Sequence, residues 1–451
     1  MEPLTMAQQA PGGPICPRPQ GGAAGARARL RWGPGAFLRD RARALATRAR
    51  RRTLGTALLL VLAAAALSLA LPVRAAEVLR IGVIAPFNTP PGDGLLNAAR
   101  LAADDINAAG GIGGRPVELV LANDEYKPDG AANAYKKLAL SDQVVAVVGT
   151  ASSGSALAVV DQMVRYKVPF LSTGAATLQL SDRVMQDRER HKYWFRVMHT
   201  TDEMAGSLSD FAVRFLLKER GLVRAALLTE NAVWAKGLLP PLKQGLAAAG
   251  VKVVAEEAFD VDTKDFKPLL TKLLRADPQY IIDLSSHVDG AIYVKQWGEM
   301  QGPPMVGVNA SGASTRFWKD TEGRAVSHMN LMTGGQRVAM TPRTIAWYDR
   351  YVARFKVSPD YTSGYTYDAL FILKQALEKG AATPDALVQS LEAMDLVGVT
   401  ARWAFERNHN ARFGPGFRAI GVNQWRPDGE RRVVWPPEIR TEPMAAPPWQ
   451  R

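Results

Sequence analysis

The chain has 451 residues, 47% of them apolar and 22% charged, proportions that exclude a disordered, collagen-like or polytopic membrane protein. Its one cysteine, Cys16, excludes a disulfide framework and a cysteine-based zinc site. The formal charge of +13 is not a nucleic-acid footprint, because residues 1–75 hold twelve Arg against Glu2 and Asp40, a net +10, which leaves only +3 on the remainder.

Arg48, Arg50, Arg51 and Arg52 precede an apolar run over 57–73, broken only by Ser68 and Pro72. Val73-Arg74-Ala75 then places small residues where a signal peptidase reads. A basic n-region, an apolar h-region and a small-x-small site define a secretory signal. Residues 1–75 are therefore expected to be a signal peptide with an extended basic n-region, cleaved after Ala75. A retained anchor is the alternative, since the run approaches the ~20 residues that span a bilayer. Arg51-Arg52-Thr53-Leu54 matches a twin-arginine signal incompletely, so Sec and Tat export both stay open. Cys16 lies in this leader, and the mature chain is expected to have no cysteine.

From residue 78 the pattern alternates. A β-branched strand over 78–84 ends at Pro86, and a helix over 95–109 is stopped by Gly110-Gly111. Strands follow at 117–121, 144–148 and 168–171, with helices at 131–140 and 155–166 between them. The rhythm restarts with strands at 225–228, 251–254, 280–284 and 305–307, separated by helices at 237–249, 266–276 and 290–300. Such alternation predicts parallel sheets with helices on both faces. Two sets exceed one ordinary open sheet, so two α/β lobes are expected, joined near 196–201. Ligands of such sheets sit outside the carboxyl ends of the strands, which here is the cleft.

Several segments carry a resemblance. The first helix ends in Ile106-Asn107-Ala108-Ala109-Gly110-Gly111, and Asn123-Asp124 with Pro128 follows the second strand. Val147-Val148-Gly149 leads to Ser152-Ser153-Gly154-Ser155, Thr173-Gly174-Ala175-Ala176-Thr177 follows the fourth strand, and Tyr365-Thr366-Tyr367-Asp368-Ala369 opens a late helix. In order and spacing this resembles the type I periplasmic binding proteins of branched-chain amino acid ABC importers, the leucine/isoleucine/valine-binding group, over about 78–435. The resemblance implies an α/β fold of two doubly wound parallel-sheet lobes joined by a three-stranded hinge. Its crossings would fall near His199, Thr333 and Gly414. The first lobe would be 76–198 plus 334–413, the second 199–333 plus 414–440, and 441–451 a C-terminal tail. The implied function is capture of a small carboxylate, amino acid or amide-like solute by hinge closure and delivery to an inner-membrane permease. The implied protein is a periplasmic monomer without cofactor, metal, nucleic-acid partner or catalysis. A sensor that hands a signal to a membrane or cytosolic partner is the alternative.

Site residues follow from chemistry and resemblance together. Ser152, Ser153, Gly154 and Ser155 follow a strand and open a helix, where free N–H groups and the helix dipole favour a ligand carboxylate. Plain capping by a serine is the competing role. The resemblance assigns Ala175, Ala176 and Thr177 to ligand contact through a backbone carbonyl and a hydroxyl, with a helix cap as the alternative. Trp234 falls where the family carries an aromatic cover from the second lobe, in what reads as a loop; a core tryptophan is the alternative. Ser286 and His287 stand where the family has an aromatic contact and would be polar contacts instead, with a solvent-facing helix start as the alternative for His287. Asn309 stands where the amino acid-binding members tend to carry an acid for the ligand's ammonium. An unpaired buried ammonium is costly, so the ligand is expected to lack one, unless Asp283 or Asp289 is the acid. In the front loop 86–94, Pro91 replaces the usual aromatic, and Phe87 is a candidate for apolar cover or equally for the core.

No phosphate loop, nucleophile elbow or helix-turn-helix segment appears. The histidines, His191, His199, His287, His328 and His409, do not pair at metal-ligand spacing, and Asp104-Asp105 reads as a solvated helix face.

Overall fold

Strand and helix alternate throughout the first part of a computed structural model that describes residues 77–314, 316–331 and 334–450. The expected export signal and cleavage site, Cys16 and the crossing expected at Thr333 lie outside the described residues. In chain order come β1 (Leu79–Ala85), α1 (Pro90–Ala108), β2 (Val117–Asn123), α2 (Pro128–Leu140), β3 (Ala146–Gly149), α3 (Ser153–Tyr166), β4 (Phe170–Ser172), α4 (Gln179–Gln186), α5 (Arg188–His191) and β5 (Trp194–Arg196). These strands form one parallel sheet in the order β2-β1-β3-β4-β5.

The second set is α6 (Thr201–Phe211), β6 (Arg224–Glu230), α7 (Val233–Ala248), β7 (Lys252–Phe259), α8 (Lys267–Arg275), β8 (Tyr280–Ser285), α9 (Gly290–Glu299), β9 (Met305–Asn309), α10 (Phe317–Asp320) and β10 (Met329–Leu331). Then follow α11 (Thr344–Phe355), α12 (Ser363–Glu378), α13 (Pro384–Glu392), the hairpin β11 (Leu396–Val397) and β12 (Arg402–Trp403), and finally β13 (Val422–Trp425) and β14 (Arg431–Trp435). The second sheet runs β14-β13-β10-β9-β8-β6-β7. It is parallel from β7 to β10, and the late strands β13 and β14 extend it antiparallel. Each sheet anchors one lobe. No helix among the described residues is long and apolar enough to cross a membrane.

The strands are apolar on both faces because helices cover both. In β8, Tyr280, Ile282 and Leu284 join the main core, while Ile281 between them joins a second core on the opposite face with Phe266, Leu270 and Trp297. β6 divides likewise, with Ala225 and Leu227 on one side and Ala226 and Leu228 on the other.

Local chemistry explains two departures from the expected boundaries. α1 starts at Pro90 rather than near Leu95, because Thr89 caps it by accepting the Gly92 N–H at 3.2 Å and two prolines fill the first helical positions. Much of the expected front loop is thus the first helical turn, and Phe87 packs against the main core. The Gly110-Gly111 stop is a turn with φ of 97° and 79°, and Asn107 ties it to β2 by bonding both backbone groups of Val117.

Asp104 does lie on a solvated face, with 53% of its side chain exposed, but Asp105 does not. Asp104 pairs with Arg354, while Asp105 pairs with Arg350 and accepts the Tyr367 hydroxyl at 2.7 Å, so α11 and α12 are stitched onto α1. The segment read as a tail is also docked: Gln424 exchanges two hydrogen bonds of 2.8 Å with the backbone of Ala445, and Trp449 packs edge-on against Trp297.

Around His199 two distant stretches of chain meet. Arg418 donates to His199 Nδ1 at 2.8 Å and to both carboxylate oxygens of Glu203 at 3.0 and 3.1 Å. A ring nitrogen that accepts from a guanidinium carries no proton, so His199 is neutral with its proton on Nε2. Burial, reinforced by the Arg418 charge, pushes His199 down to about 4 from 6.5. Burial alone would raise Glu203, but the Arg418 guanidinium outweighs it and the carboxyl is held at about 2, below its usual 4.5. Both folded values are depressed, so both groups contribute stability above their unfolded values and lose it as acid titrates them. Urea midpoints are expected to fall as pH drops from 6.5 towards 4 through His199, and again from 4.5 towards 2 through Glu203. His199→Gln should flatten the upper part of that profile; an unchanged slope there would remove His199 as its source.

Candidate functional site

A doubly wound sheet opens a crevice where its strand order reverses, outside the carboxyl ends of the two strands that part. The first sheet reverses between β1 and β3, and the second between β6 and β8. A cavity lies between the carboxyl ends of the two sheets. Ala151, Ser152 and Ser153 enter it after β3, Gly174 and Ala176 after β4, and Met198 after β5. From the other side come Met204, Trp234 after β6, Ser286 and His287 after β8, and Val308, Asn309, Ala310, Ala313, Asn330 and Leu331 around β9 and β10. Tyr361 closes it from the turn before α12.

The α3 end is the polar end. Gly149 at the close of β3 has φ of 131°, and a Cβ there would collide with the Ile84 carbonyl, so glycine sets the path into the turn. Ser152 caps the helix by accepting the Ser155 N–H at 3.1 Å. Ser153 Oγ accepts the Thr177 N–H at 3.3 Å, which leaves its hydroxyl proton free to donate. The first-turn N–H groups of Ser153 and Gly154 have no acceptor among the described residues. Tyr361 donates its hydroxyl to the Ala151 carbonyl at 2.7 Å, so its oxygen is left to accept.

The opposite wall is organised by a residue that sequence reasoning missed. The Glu230 side chain, fully buried at the end of β6, takes the Trp234 indole N–H on Oε1 together with His287 Nδ1 at 2.7 Å. Its Oε2 accepts the backbone N–H groups of Ser286 and His287 at 2.8 and 2.9 Å. Burial opposes ionisation, but these donors, His287 first, outweigh it and hold the carboxyl below its usual range. One carboxylate therefore fixes Trp234, Ser286 and His287 together. Trp234 lies in the first turn of α7, not in a loop, and contributes to both the main core and the cavity wall. Across the cleft the Tyr126 ring meets the His287 ring edge-on at 5.1 Å, so the two lobes touch beside the cavity.

Of the expected contacts, Ser152, Ser153, Ala176, Trp234, Ser286, His287 and Asn309 come together on this wall. Gly154, Ser155, Ala175 and Thr177 do not line it. Ser155 is fully buried behind the cap. The carbonyls of Ala175 and Thr177 are turned to the buried Arg196 guanidinium, the latter at 2.6 Å, and the Thr177 hydroxyl accepts the Gln179 N–H at 3.4 Å. Asn309 is committed internally. Its Oδ1 accepts the Gly312 N–H at 3.1 Å, and its backbone N–H and carbonyl exchange bonds of 2.8 Å with the Asn330 side chain. The alternative acids do not reach this cavity: Asp283 accepts the Tyr293 hydroxyl at 2.6 Å and faces His328, and Asp289 caps α9. The wall contains no carboxylate among the described residues. Glu230, Tyr361 and Asn330 carried no usable sequence signal, although Glu230 could have been suspected as a lone acid ending a buried strand.

This geometry can be set beside known proteins. The model of the periplasmic binding protein family matches residues 78–427. The chain belongs to the periplasmic binding protein family. Among family relatives, a Leu/Ile/Val-binding protein BraC3 of Rhizobium johnstonii is 27% identical over 312 residues, covering 68% of this chain and 81% of its own length. The branched-chain amino acid transporter substrate-binding protein LivJ of Streptococcus pneumoniae, solved with isoleucine, matches the fold with a TM-score of 0.69 at 24% identity, over 80% of this chain and all of that one. A solute-binding protein of an ABC transporter from R. palustris, solved with benzoate, gives 0.68 at 16% identity, over 79% of this chain and 96% of its own. The periplasmic binding protein scaffold thus carries the cavity where each sheet reverses its strand order.

Proposed function

We propose that this chain is the solute-binding component of an ABC importer of the branched-chain amino acid type. It captures a small carboxylate between its lobes in the periplasm and delivers it, as a monomer, to a membrane permease. The lobes are 76–198 with 334–413 and 199–333 with 414–440, and residues 1–75 are an export signal removed after Ala75 by either the Sec or the Tat route. Family membership and the relatives named as Leu/Ile/Val-binding proteins support the import role.

The observation that carries the ligand class is the polarity of the cavity wall: free N–H groups of α3 at one end, an apolar flank of Met198, Met204, Trp234 and Leu331, and no carboxylate among the described residues. A ligand carboxylate is held by Ser153 and the α3 N-terminus. An α-ammonium would be desolvated without a partner charge, which costs several kcal/mol. The ligand is therefore a carboxylate with an apolar or aromatic body and no α-ammonium. The benzoate held by the R. palustris protein has that chemistry, while the isoleucine held by the pneumococcal protein does not.

A thermal-shift comparison of benzoate, 4-methylpentanoate and leucine tests this. At ~100 times its dissociation constant a ligand stabilises by ~2.7 kcal/mol. Stabilisation by either plain carboxylate, with none by leucine, is expected. Stabilisation by leucine alone would show that the wall accepts an α-ammonium and would overturn the ligand class.

A further inference from the structure

The turn between β2 and α2 is built against the preference of its own residues. Glu125 and Tyr126 are both left-handed, with φ of 51° and 58°. Residues with a Cβ seldom adopt that conformation, and bulky ones least of all. The turn is nevertheless firmly held. Asn123 Oδ1 accepts the Phe87 and Glu125 N–H groups at 2.9 and 3.0 Å, and Oδ1 of the fully buried Asp124 accepts the Tyr126 N–H at 3.1 Å. Strained backbone that its surroundings over-determine clusters at clamps and switches. Here it places one ring, since the Tyr126 hydroxyl has no hydrogen-bond partner. That ring meets the His287 ring of the other lobe edge-on, 5.1 Å between centroids and 66° between planes.

His287 offers a fixed surface. Glu230 holds its ring nitrogen at 2.7 Å and its backbone N–H at 2.9 Å, so the pair joins two anchored groups rather than two mobile side chains. A second contact crosses the same divide. Ser358, between α11 and α12, donates its hydroxyl at 3.2 Å to the carbonyl of Ala313, beyond β9, and both residues are buried. Neither Tyr126 nor Ser358 lines the cavity. Separation of the lobes breaks both contacts.

We propose that Tyr126 is a positioning residue for closure: it grips His287 and, together with Ser358, keeps a fraction of the solute-free molecules shut. The inference rests on the reading above that two lobes open and close over a solute, and it holds whichever solute that is. Apparent affinity scales with the fraction already in the binding-competent state. Two residues that never touch the solute therefore help to set how tightly it is held.

Paired spin labels on the purified protein test this. Asp129→Cys and Lys319→Cys place them at exposed positions beside α2 and α10 on opposite lobes, with the one native cysteine removed by Cys16→Ser. Without solute, a short and a long separation are expected. Their ratio should fall at least about threefold in Tyr126→Ala, the scale of one edge-to-face ring pair, and stay in place in Tyr126→Phe. A ring that only stabilised its own lobe would lower the melting temperature of Tyr126→Ala and leave the ratio untouched, which would overturn the proposal. Should Tyr126→Ala fail to fold, Ser358→Ala takes its place, with a fall of about threefold expected from the loss of one buried hydrogen bond. A ratio that survives in the folded variant would again overturn it. A long separation alone in the unaltered protein, shortened by a carboxylate that stabilises in the thermal screen, would overturn the latch and leave capture between the lobes intact. A separation that no such carboxylate shortens would overturn both.

Discussion

Glu230→Ala is expected to weaken ligand binding by about a hundredfold or more, the equivalent of about 2.8 kcal/mol. Its four hydrogen bonds hold the Trp234 indole, the His287 ring and two backbone N–H groups in one arrangement. Truncation leaves those donors buried and unpaired at about 1–3 kcal/mol for each. Fold stability should drop by about 3–5 kcal/mol, the range for removing one partner of a buried charged network. Glu230→Gln keeps the volume but turns an amide NH₂ towards donors, so a loss nearer tenfold is expected. Calorimetry with the ligand from the thermal screen, together with urea midpoints, separates the two effects. A folded Glu230→Ala protein with unchanged affinity would show that Trp234 and His287 hold their places without it.

Arg196→Met should be the most damaging change outside the cavity wall. The guanidinium is fully buried and donates to the carbonyls of Ala175 and Thr177 and, through Nε at 2.9 Å, to Asn410. It thereby locks the turn after β4 to a stretch of chain more than two hundred residues away. Burial pushes Arg196 down to about 9, and the Glu203 charge opposes that shift. Removing the cation strands three buried acceptors, and urea denaturation is expected to register a loss of about 3–5 kcal/mol. Arg196→Lys should not restore it, since an ammonium cannot span three acceptors as a planar fork does. Unchanged stability in Arg196→Met would mean that water takes over these carbonyls at little cost.

The alternation of β-branched runs and amphipathic stretches made the two sheets legible, because parallel strands buried on both faces must be apolar along their whole length. Strand starts at 79, 117 and 280 and the helix stop at Gly110-Gly111 needed only periodicity and turn chemistry. The late strands β13 and β14 were not legible. Val422-Asn423-Gln424-Trp425 is buried throughout yet half polar, and Gln424 is held by the backbone of Ser327 and Ala445, partners no local pattern announces. The site divides the same way. Ser153 and Trp234 follow strands and could be placed by analogy, but the duty of the Ala175 and Thr177 carbonyls depends on Arg196, a contact across the fold. Asn309 drew notice as a missing acid, and its side chain proves to serve the turn behind the wall. Glu230 acts through what surrounds it in space, and spacing along the chain does not encode that.

The antiparallel extension of the second sheet has a consequence for biogenesis. β1 to β5 are complete once residue 196 has been made, whereas β10 waits for β13 to cover its open edge. A chain emerging amino end first therefore carries an unfinished sheet margin until its last few dozen residues arrive. That margin, Met329-Asn330-Leu331, is a template for the wrong neighbour in the interval. Vectorial synthesis thus makes the final hairpin the step that commits the second lobe, and nonsense truncations upstream of residue 422 should yield aggregates rather than a weakened binder.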